Sequence, residues 1–252
     1  MEKIAFITGS TSGIGEATAW KFAAEGWHVI ISGRRIEKLN TLAARIQEKH
    51  QVAVLPLCFD ITQLEEVKNS IHSLSGKWKN IGVLVNNAGL AVGRSPLQEG
   101  LYEDWDRMID TNMKGLLYVT REIVPLFIAN KKGHIINIGS LAGHEYYGGG
   151  NVYCGTKHAV KAITRSMRID LLKEGIKVSA VSPGAVETEF SVVRYKGNKE
   201  MADKTYDGFE PLKAEDVAES IYFIANQPKH VNIEEILVLP TAQASTSIIF
   251  KQ

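Results

Sequence analysis

Tyr153 and Lys157 stand one helical turn apart in "NVYCGTKHAV", a spacing that puts both side chains on one helix face. A phenol, with an ordinary pKa of about 10, is a poor base at neutral pH. A cation within a few ångströms can lower it by roughly 1 to 3 pH units, into a range where it can take and return protons. The spacing alone is equally that of an ordinary helix surface. Tyr146 and Tyr147, upstream in "GHEYYGGG", have no such lysine and are expected to line a pocket. Ser140 closes the strand-like run "GHIINIGS", at the edge of a parallel sheet where ligands bind, and its hydroxyl could bond an oxygen on which charge develops. Asn112 puts an amide into the helical pattern of "MIDTNMKG"; such a group either bonds backbone or holds an ordered water.

A second group could hold a phosphorylated ligand. "TGSTSGIG" runs from Thr8 to Gly15. Its Gly9, Gly13 and Gly15 fall where a strand turns into a helix, so backbone can approach a ligand closely and helix N–H groups can face a pyrophosphate. Ser10, Ser12 and Ile14 occupy the same turn. Tight turning alone would also explain the glycines, but their place after the first strand is the one a dinucleotide requires. The second strand, "HVIISGRR", ends in Gly33, Arg34 and Arg35, where an acidic residue would hold the ribose hydroxyl of NAD. Arginine pairs with a 2′-phosphate that aspartate would repel. The cofactor predicted is NADP, with Arg34 the main partner and Ser10 and Arg35 as helpers. The alternative is that the arginines merely cap a solvent-facing strand end.

The elements that must position these groups repeat along the chain. Strand-like "KIAFITG" leads into "EATAWKFAAEGW", which places Ala19, Phe22 and Ala23 on one face before Gly26 stops it. "HVIISG", "VAVLPLCFD", "IGVLVNNAG" and "GHIINIGS" are each followed by a helical pattern, and "VYCGTKHAVKAITRSMRIDLLKEG" reads as one long helix into "IKVSAVSPG". "AEDVAESIYFIANQ" and "EEILVLP" supply a last helix and strand. Strands apolar throughout are buried on both faces, and strand–helix alternation predicts a doubly wound parallel α/β sheet in one domain over residues 1–252. Residues 184–213, polar and lysine-rich, are long for a connection and are expected to form a mobile lid over the substrate.

Composition narrows the class. The chain has 252 residues, 44% hydrophobic, and a formal charge of +1 from 29 basic and 28 acidic side chains. No basic block is present, so nucleic acid and anionic membranes are not expected as partners. The apolar runs are strand-length, too short to span a bilayer. "MEKIAFITG" enters a strand without a leader-like run, and two cysteines form neither a disulfide framework nor a metal site, so a reducing, cytoplasmic setting is expected. His134, His144 and His158 share no ligand spacing and are expected on the surface or a pocket wall, with no metal. Cys154 is expected to be packing.

"TGSTSGIG", "NNAG" (Asn86 to Gly89), Asn112, Ser140, Tyr153, Lys157 and Pro183–Gly184 together resemble the short-chain dehydrogenase/reductase superfamily along essentially the whole chain. The resemblance implies a Rossmann-fold oxidoreductase passing hydride between a nicotinamide and a carbinol carbon. It makes Tyr153 the acid/base and Ser140 the group orienting the substrate oxygen. Lys157 would lower the tyrosine pKa and bond the nicotinamide ribose, and Asn112 would hold a relay water. It also implies that Asp60 and Ile61 contact adenine, that Asn87, Ala88 and Gly89 lie along the adenosine side, and that Val186 and Thr188, after Pro183 and Gly184, hold the carboxamide. Many members carry a second serine where this chain has Gly139.

More narrowly, "IDTNMKGL", "GGNVYCGTK", "VETEFSVVRYKG" and "LVLPTAQAS" resemble the NADP-dependent 3-hydroxy acid dehydrogenases, a group also called serine or L-allo-threonine dehydrogenases. That resemblance implies a homotetramer acting at C3 of short 3-hydroxy acids. Such a substrate needs a cation for its carboxylate. Arg194 and Lys196 are the candidates, and the guanidinium fork favours Arg194; Tyr147 is expected beside it. A reductase of a ketoacyl thioester or neutral ketone is the first alternative. A non-catalytic NADP-binding sensor is the second.

Overall fold

The structure, a computed structural model, describes residues 3–252. Seven strands form one sheet, all paired in parallel: β1 (Ile4–Ile7), β2 (His28–Gly33), β3 (Val54–Cys58), β4 (Val83–Asn86), β5 (His134–Ile138), β6 (Lys177–Pro183) and β7 (Glu235–Val238). Their order is β3-β2-β1-β4-β5-β6-β7. The chain winds outward from β1 to β3 and then returns to the other side of β1 at β4. That reversal opens a crevice between the carboxyl ends of β1 and β4, where open α/β sheets bind ligands.

The α-helices of the described residues are α1 (Gly13–Ala24), α2 (Ile36–His50), α3 (Leu64–His72), α4 (Tyr102–Ile109), α5 (Leu116–Ala129), α6 (Asn151–Asp170), α7 (Glu189–Arg194), α8 (Lys199–Asp203) and α9 (Ala214–Ala225). β1, β4 and β5 are buried along their whole length, because apolar side chains project into a helix layer on each side. One layer packs around Phe22, Ile46, Val85 and Ile221, the other around Phe6, Leu84, Ile123 and Phe127. Phe22 is fully buried and meets Trp27 edge-on at 5.2 Å between ring centres; burying such a ring contributes about 1.5–3 kcal/mol. Gly26, with φ of 77°, ends α1 in the left-handed conformation as its position predicts.

Two elements differ from the sequence expectation. The long helix stops at Asp170, and a 3-10 turn over Leu172–Glu174 follows before Gly175 at φ 68°. The 184–213 segment is not structureless. α7, α8 and a 3-10 turn over Lys204–Tyr206 fold it, and a bridge joins Val186 to Leu212 at its base. Lysine-rich composition hid these helices because each is short and held by caps: Thr188 Oγ1 accepts from Phe190 N, and Asn198 Oδ1 from Met201 N.

Candidate active site

The turn after β1 starts the site. Gly9 has φ of 68°, and a Cβ there would lie 2.9 Å from Ala88 Cα. A Cβ on Gly15 would sit 2.3 Å from the Gly9 carbonyl oxygen, so α1 meets the turn at a distance only glycine allows. Asn87 Nδ2 donates to the carbonyls of Thr8 (2.8 Å) and Gly9 (3.2 Å), tying the segment after β4 to this turn. Gly9, Ser12, Gly13 and Ile14 line the resulting cleft, with Ala88 and Gly89 opposite.

At its outer end the cleft meets Arg34, Arg35, Asp60 and Ile61. Arg34 Nη1 lies 3.4 Å from Asp60 Oδ2. Against the desolvation that would raise it, bonds from Thr62 and the Arg34 charge hold the Asp60 carboxyl below its ordinary range. Arg35 lies across the glycine turn, donating to Thr11 Oγ1 at 2.7 Å, Ser12 Oγ at 3.1 Å and Glu189 Oε2 at 3.0 Å. Ser10 is not part of this corner. It is fully buried, its hydroxyl donates to the Ile7 carbonyl at 2.8 Å, and its N–H goes to Ser32. The expectation that Ser10 helps read a 2′-phosphate is therefore corrected; its neighbour Thr11 faces the cleft. One residue along an extended turn reverses the direction of the side chain.

At the inner end, Ser140, Tyr153 and Lys157 share the cleft wall with Pro183, Gly184, Val186 and Thr188. Ser140 caps a 3-10 turn over Leu141–Gly143, accepting from Ala142 N at 3.1 Å. Lys157 Nζ donates to the Ile138 carbonyl at 2.9 Å and lies 6.0 Å from the Tyr153 ring centre. Tyr153 and Lys157 are nearly enclosed, at 8% and 7% exposure. Burial lowers Lys157 to about 8, because an ammonium loses its hydration. Burial also pushes the Tyr153 phenol well above its ordinary value, with the nearby Ser140 hydroxyl opposing but not overcoming it. The expected depression of the phenol by Lys157 is corrected accordingly: desolvation dominates both groups.

Asn112 sits in a π-helical turn over Asp110–Gly115 between α4 and α5. Its Oδ1 accepts from Leu90 N and its Nδ2 donates to Leu90 O, both at 2.8 Å, with a further bond to Thr156 Oγ1 at 3.1 Å. Of the two roles the sequence left open, the side chain takes backbone bonding. It clasps the segment after β4 to α6.

Arg194 is the cation nearest the phenol. Its guanidinium carbon lies 5.6 Å from the Tyr153 ring centre and 5.2 Å from that of Tyr147, and its Nη2 donates to the Tyr147 hydroxyl. Its Nε is buried without a hydrogen-bond partner. Lys196, the other candidate, is engaged by Asp104 at 2.8 Å. The Arg194 carbonyl accepts from Gly93 N at 2.9 Å, which pins α7 over the cleft. Tyr146 was expected in a pocket but is 83% exposed.

The constellation is a tyrosine, serine and buried lysine beside a glycine turn at a sheet switch point. Its sequence agrees: the short chain dehydrogenase family profile matches residues 3–199. The chain belongs to that family. Serine 3-dehydrogenase of Agrobacterium fabrum is 44% identical over 239 residues, 94% of each chain. The NADP-dependent 3-hydroxy acid dehydrogenase of Schizosaccharomyces pombe is 39% identical over 251 residues, 99% of this chain and 97% of its own. A solved structure of the closed form of serine dehydrogenase complexed with NADP+ superposes with a TM-score of 0.92 at 40% identity over 99% of each chain.

Of the histidines expected on the surface or a pocket wall, His158 is exposed and His144 partly exposed, but His134 is buried. His134 lies inside β5, bonded to Ser179 at 2.8 Å, and desolvation lowers it to about 3. His144 is in a polar cluster behind Ser140. Cys154 is buried against Leu90, Met108 and Tyr153, the packing role expected. Thr11, Glu189, Phe190 and Val193 line the cleft and were missed. The alternation inside "TGSTSGIG" could have found Thr11; nothing in the pattern singles out the other three.

Proposed function

We propose that this protein is an NADP-dependent dehydrogenase that oxidises a short 3-hydroxy acid at C3, or reduces the matching carbonyl acid. The observation that carries the reading is the Arg194 guanidinium beside Tyr153, with its buried Nε left unpartnered. A carboxylate accepts from such a fork in a charge-assisted pair, which holds the hydroxyl-bearing carbon near the phenol. A neutral ketone would leave this half-buried charge without a counter-charge, so the geometry favours acids over the ketone alternative. The relatives named as serine and 3-hydroxy acid dehydrogenases support the same class.

The cleft's chemistry fits NADP. Gly33 stands where a carboxylate would repel a 2′-phosphate, two arginines follow it, and the glycine turn leaves room for a pyrophosphate. When bound, NADP supplies the hydride acceptor or donor. The chain's own residues do the rest. Ser140 orients the substrate oxygen by hydrogen bonding, and Tyr153 passes a proton to or from it. Lys157 keeps a positive charge in the proton path while protonated. Arg194 and Tyr147 hold the carboxylate, and α7 excludes water over the pair.

A substrate panel tests this. Serine, 3-hydroxybutyrate, 3-hydroxypropionate and a neutral secondary alcohol are each assayed with NADP and with NAD by absorbance of the reduced cofactor. The reading expects turnover of at least one acid, with NADP preferred and the alcohol poor. NADP binding with no turnover of any of the four would instead favour a sensor. A homotetramer is proposed on the apolar side chains left exposed on α4 and α5, Tyr102, Ile109, Leu117 and Ile128; light scattering gives its mass. Among the described residues no helix is long and apolar enough to cross a membrane. Two unpaired cysteines support a cytoplasmic setting.

A further inference from the structure

Behind Ser140, on the side away from the cleft, four polar side chains meet. Glu235 Oε1, at the start of β7, accepts from Ser182 Oγ at 2.6 Å and lies 2.6 Å from His144 Nε2. Lys161 Nζ lies 2.8 Å from His144 Nδ1. An ammonium can only donate, so Nδ1 accepts, and the ring hydrogen is on Nε2, pointing at the carboxylate. The histidine is thus a neutral bridge with both nitrogens used. His144 and Glu235 are 22% and 21% exposed, so the bonds are shielded from water on most sides.

Each member is fastened to a piece of the reaction site. His144 closes the 3-10 turn that Ser140 opens, its N–H bonding Leu141 O at 2.9 Å. Lys161 follows Lys157 by one turn on α6. Ser182 directly precedes Pro183 and Gly184. The fit is tight: a Cβ on Gly139 would lie 2.3 Å from Ser182 Oγ, and one on Gly143 would lie 2.8 Å from the Lys157 carbonyl oxygen. The hydroxyl of Ser182 therefore takes the space a side chain at 139 would need, which accounts for glycine at that position.

We propose that His144 is a positioning residue for the reaction: through Glu235 and Lys161 it sets the turn that aims Ser140. The inference rests on the proposed dehydrogenase reading, and it predicts an effect on the chemical step rather than on binding, because no member of the cluster lines the cleft except through its neighbours. A shift of about an ångström in a reacting group can cost up to a hundredfold in rate. His144→Ala is expected to lower kcat about tenfold while the KM for the hydroxy acid and the Kd for NADP stay within twofold. His144→Gln, which can still offer a side-chain N–H to Glu235, is expected to recover most of the loss.

Two further measurements separate failure here from failure of the functional reading. Nitrogen-15 shifts of His144 should report the Nε2–H tautomer. Amide exchange at Ala142 and Gly143 should speed up in His144→Ala and return toward wild type in His144→Gln. If the wild type turns over none of the acids, the functional reading fails, and the exchange data still decide the positioning of the turn. A kcat within twofold of wild type for His144→Ala, a rise in KM matching the loss of kcat, or exchange unchanged at the turn would each overturn the proposal. So would a glutamine variant no better than alanine.

Discussion

The two ends of the cleft are built on opposite electrostatic terms. At the outer end the Arg34 and Arg35 side chains are 61% and 43% exposed, and their partners Asp60 and Glu189 are reached through solvent-screened pairs. At the inner end Tyr153, Lys157 and Arg194 sit largely out of water, and burial itself moves the first two away from their ordinary pKa values. Exposed pairs are worth about 0–1 kcal/mol each and weaken with salt, whereas a buried charge that loses its partner costs several-fold more. On the proposed reading, the outer end tunes which cofactor is preferred, while the inner end tolerates little change.

The sharpest break of this contrast is Tyr153→Phe. It should lower turnover by about a thousandfold, within the range for losing a general acid/base, while NADP binding followed by fluorescence stays near wild type. Undiminished turnover would remove the inner end's claim to chemistry. Arg194→Ala comes next, raising the KM for hydroxy acids by about 10- to 100-fold, the worth of a charge-assisted bond, and leaving a neutral alcohol unaffected. Equal effects on both substrates would dismiss the carboxylate role.

Lys157 probes burial directly. Its pKa is about 8 in the folded chain against about 10.4 in an unfolded one. Below pH 8 both forms hold the proton, so the folded state bears the full cost of a buried ammonium. As pH rises from 8 toward 10 the folded state releases its proton first, and stability increases. The wild type should gain about 2 kcal/mol over Lys157→Met across that interval, read from urea midpoints. Parallel pH curves would show that the lysine is not desolvated. At the outer end the effects shrink. Arg34→Asp should move the NADP-to-NAD preference about tenfold toward NAD, with the wild-type preference falling as salt rises. Ser10→Ala should leave the ratio where it is, since that hydroxyl faces the protein interior.

How legible each part was follows from how local its cause is. The glycine turn, the strand runs and the Tyr153–Lys157 spacing were readable because backbone geometry and helical period are properties of adjacent residues. Arg194 could be preferred to Lys196 only on fork chemistry; the Asp104 contact that occupies Lys196 joins residues 92 positions apart and leaves no local trace. Asn112 was legible as an anomaly, but not which of its two roles it takes, because its partner Leu90 lies on another segment. The helices of the 184–213 segment were hidden because each is too short to show a period.

The sequence by itself determined the α/β class and the order of strands and helices, and it picked out the glycine turn, Ser140, Tyr153 and Lys157 that line one cleft. These depend on short-range sterics and on the apolar pattern, which every stretch of chain carries with it. Only the tertiary structure decided that Ser10 turns inward, that desolvation raises the Tyr153 phenol, and that His144, Glu235, Lys161 and Ser182 meet behind Ser140. Burial and long-range hydrogen bonds arise when distant segments exclude water together, and no window of neighbouring residues contains that information.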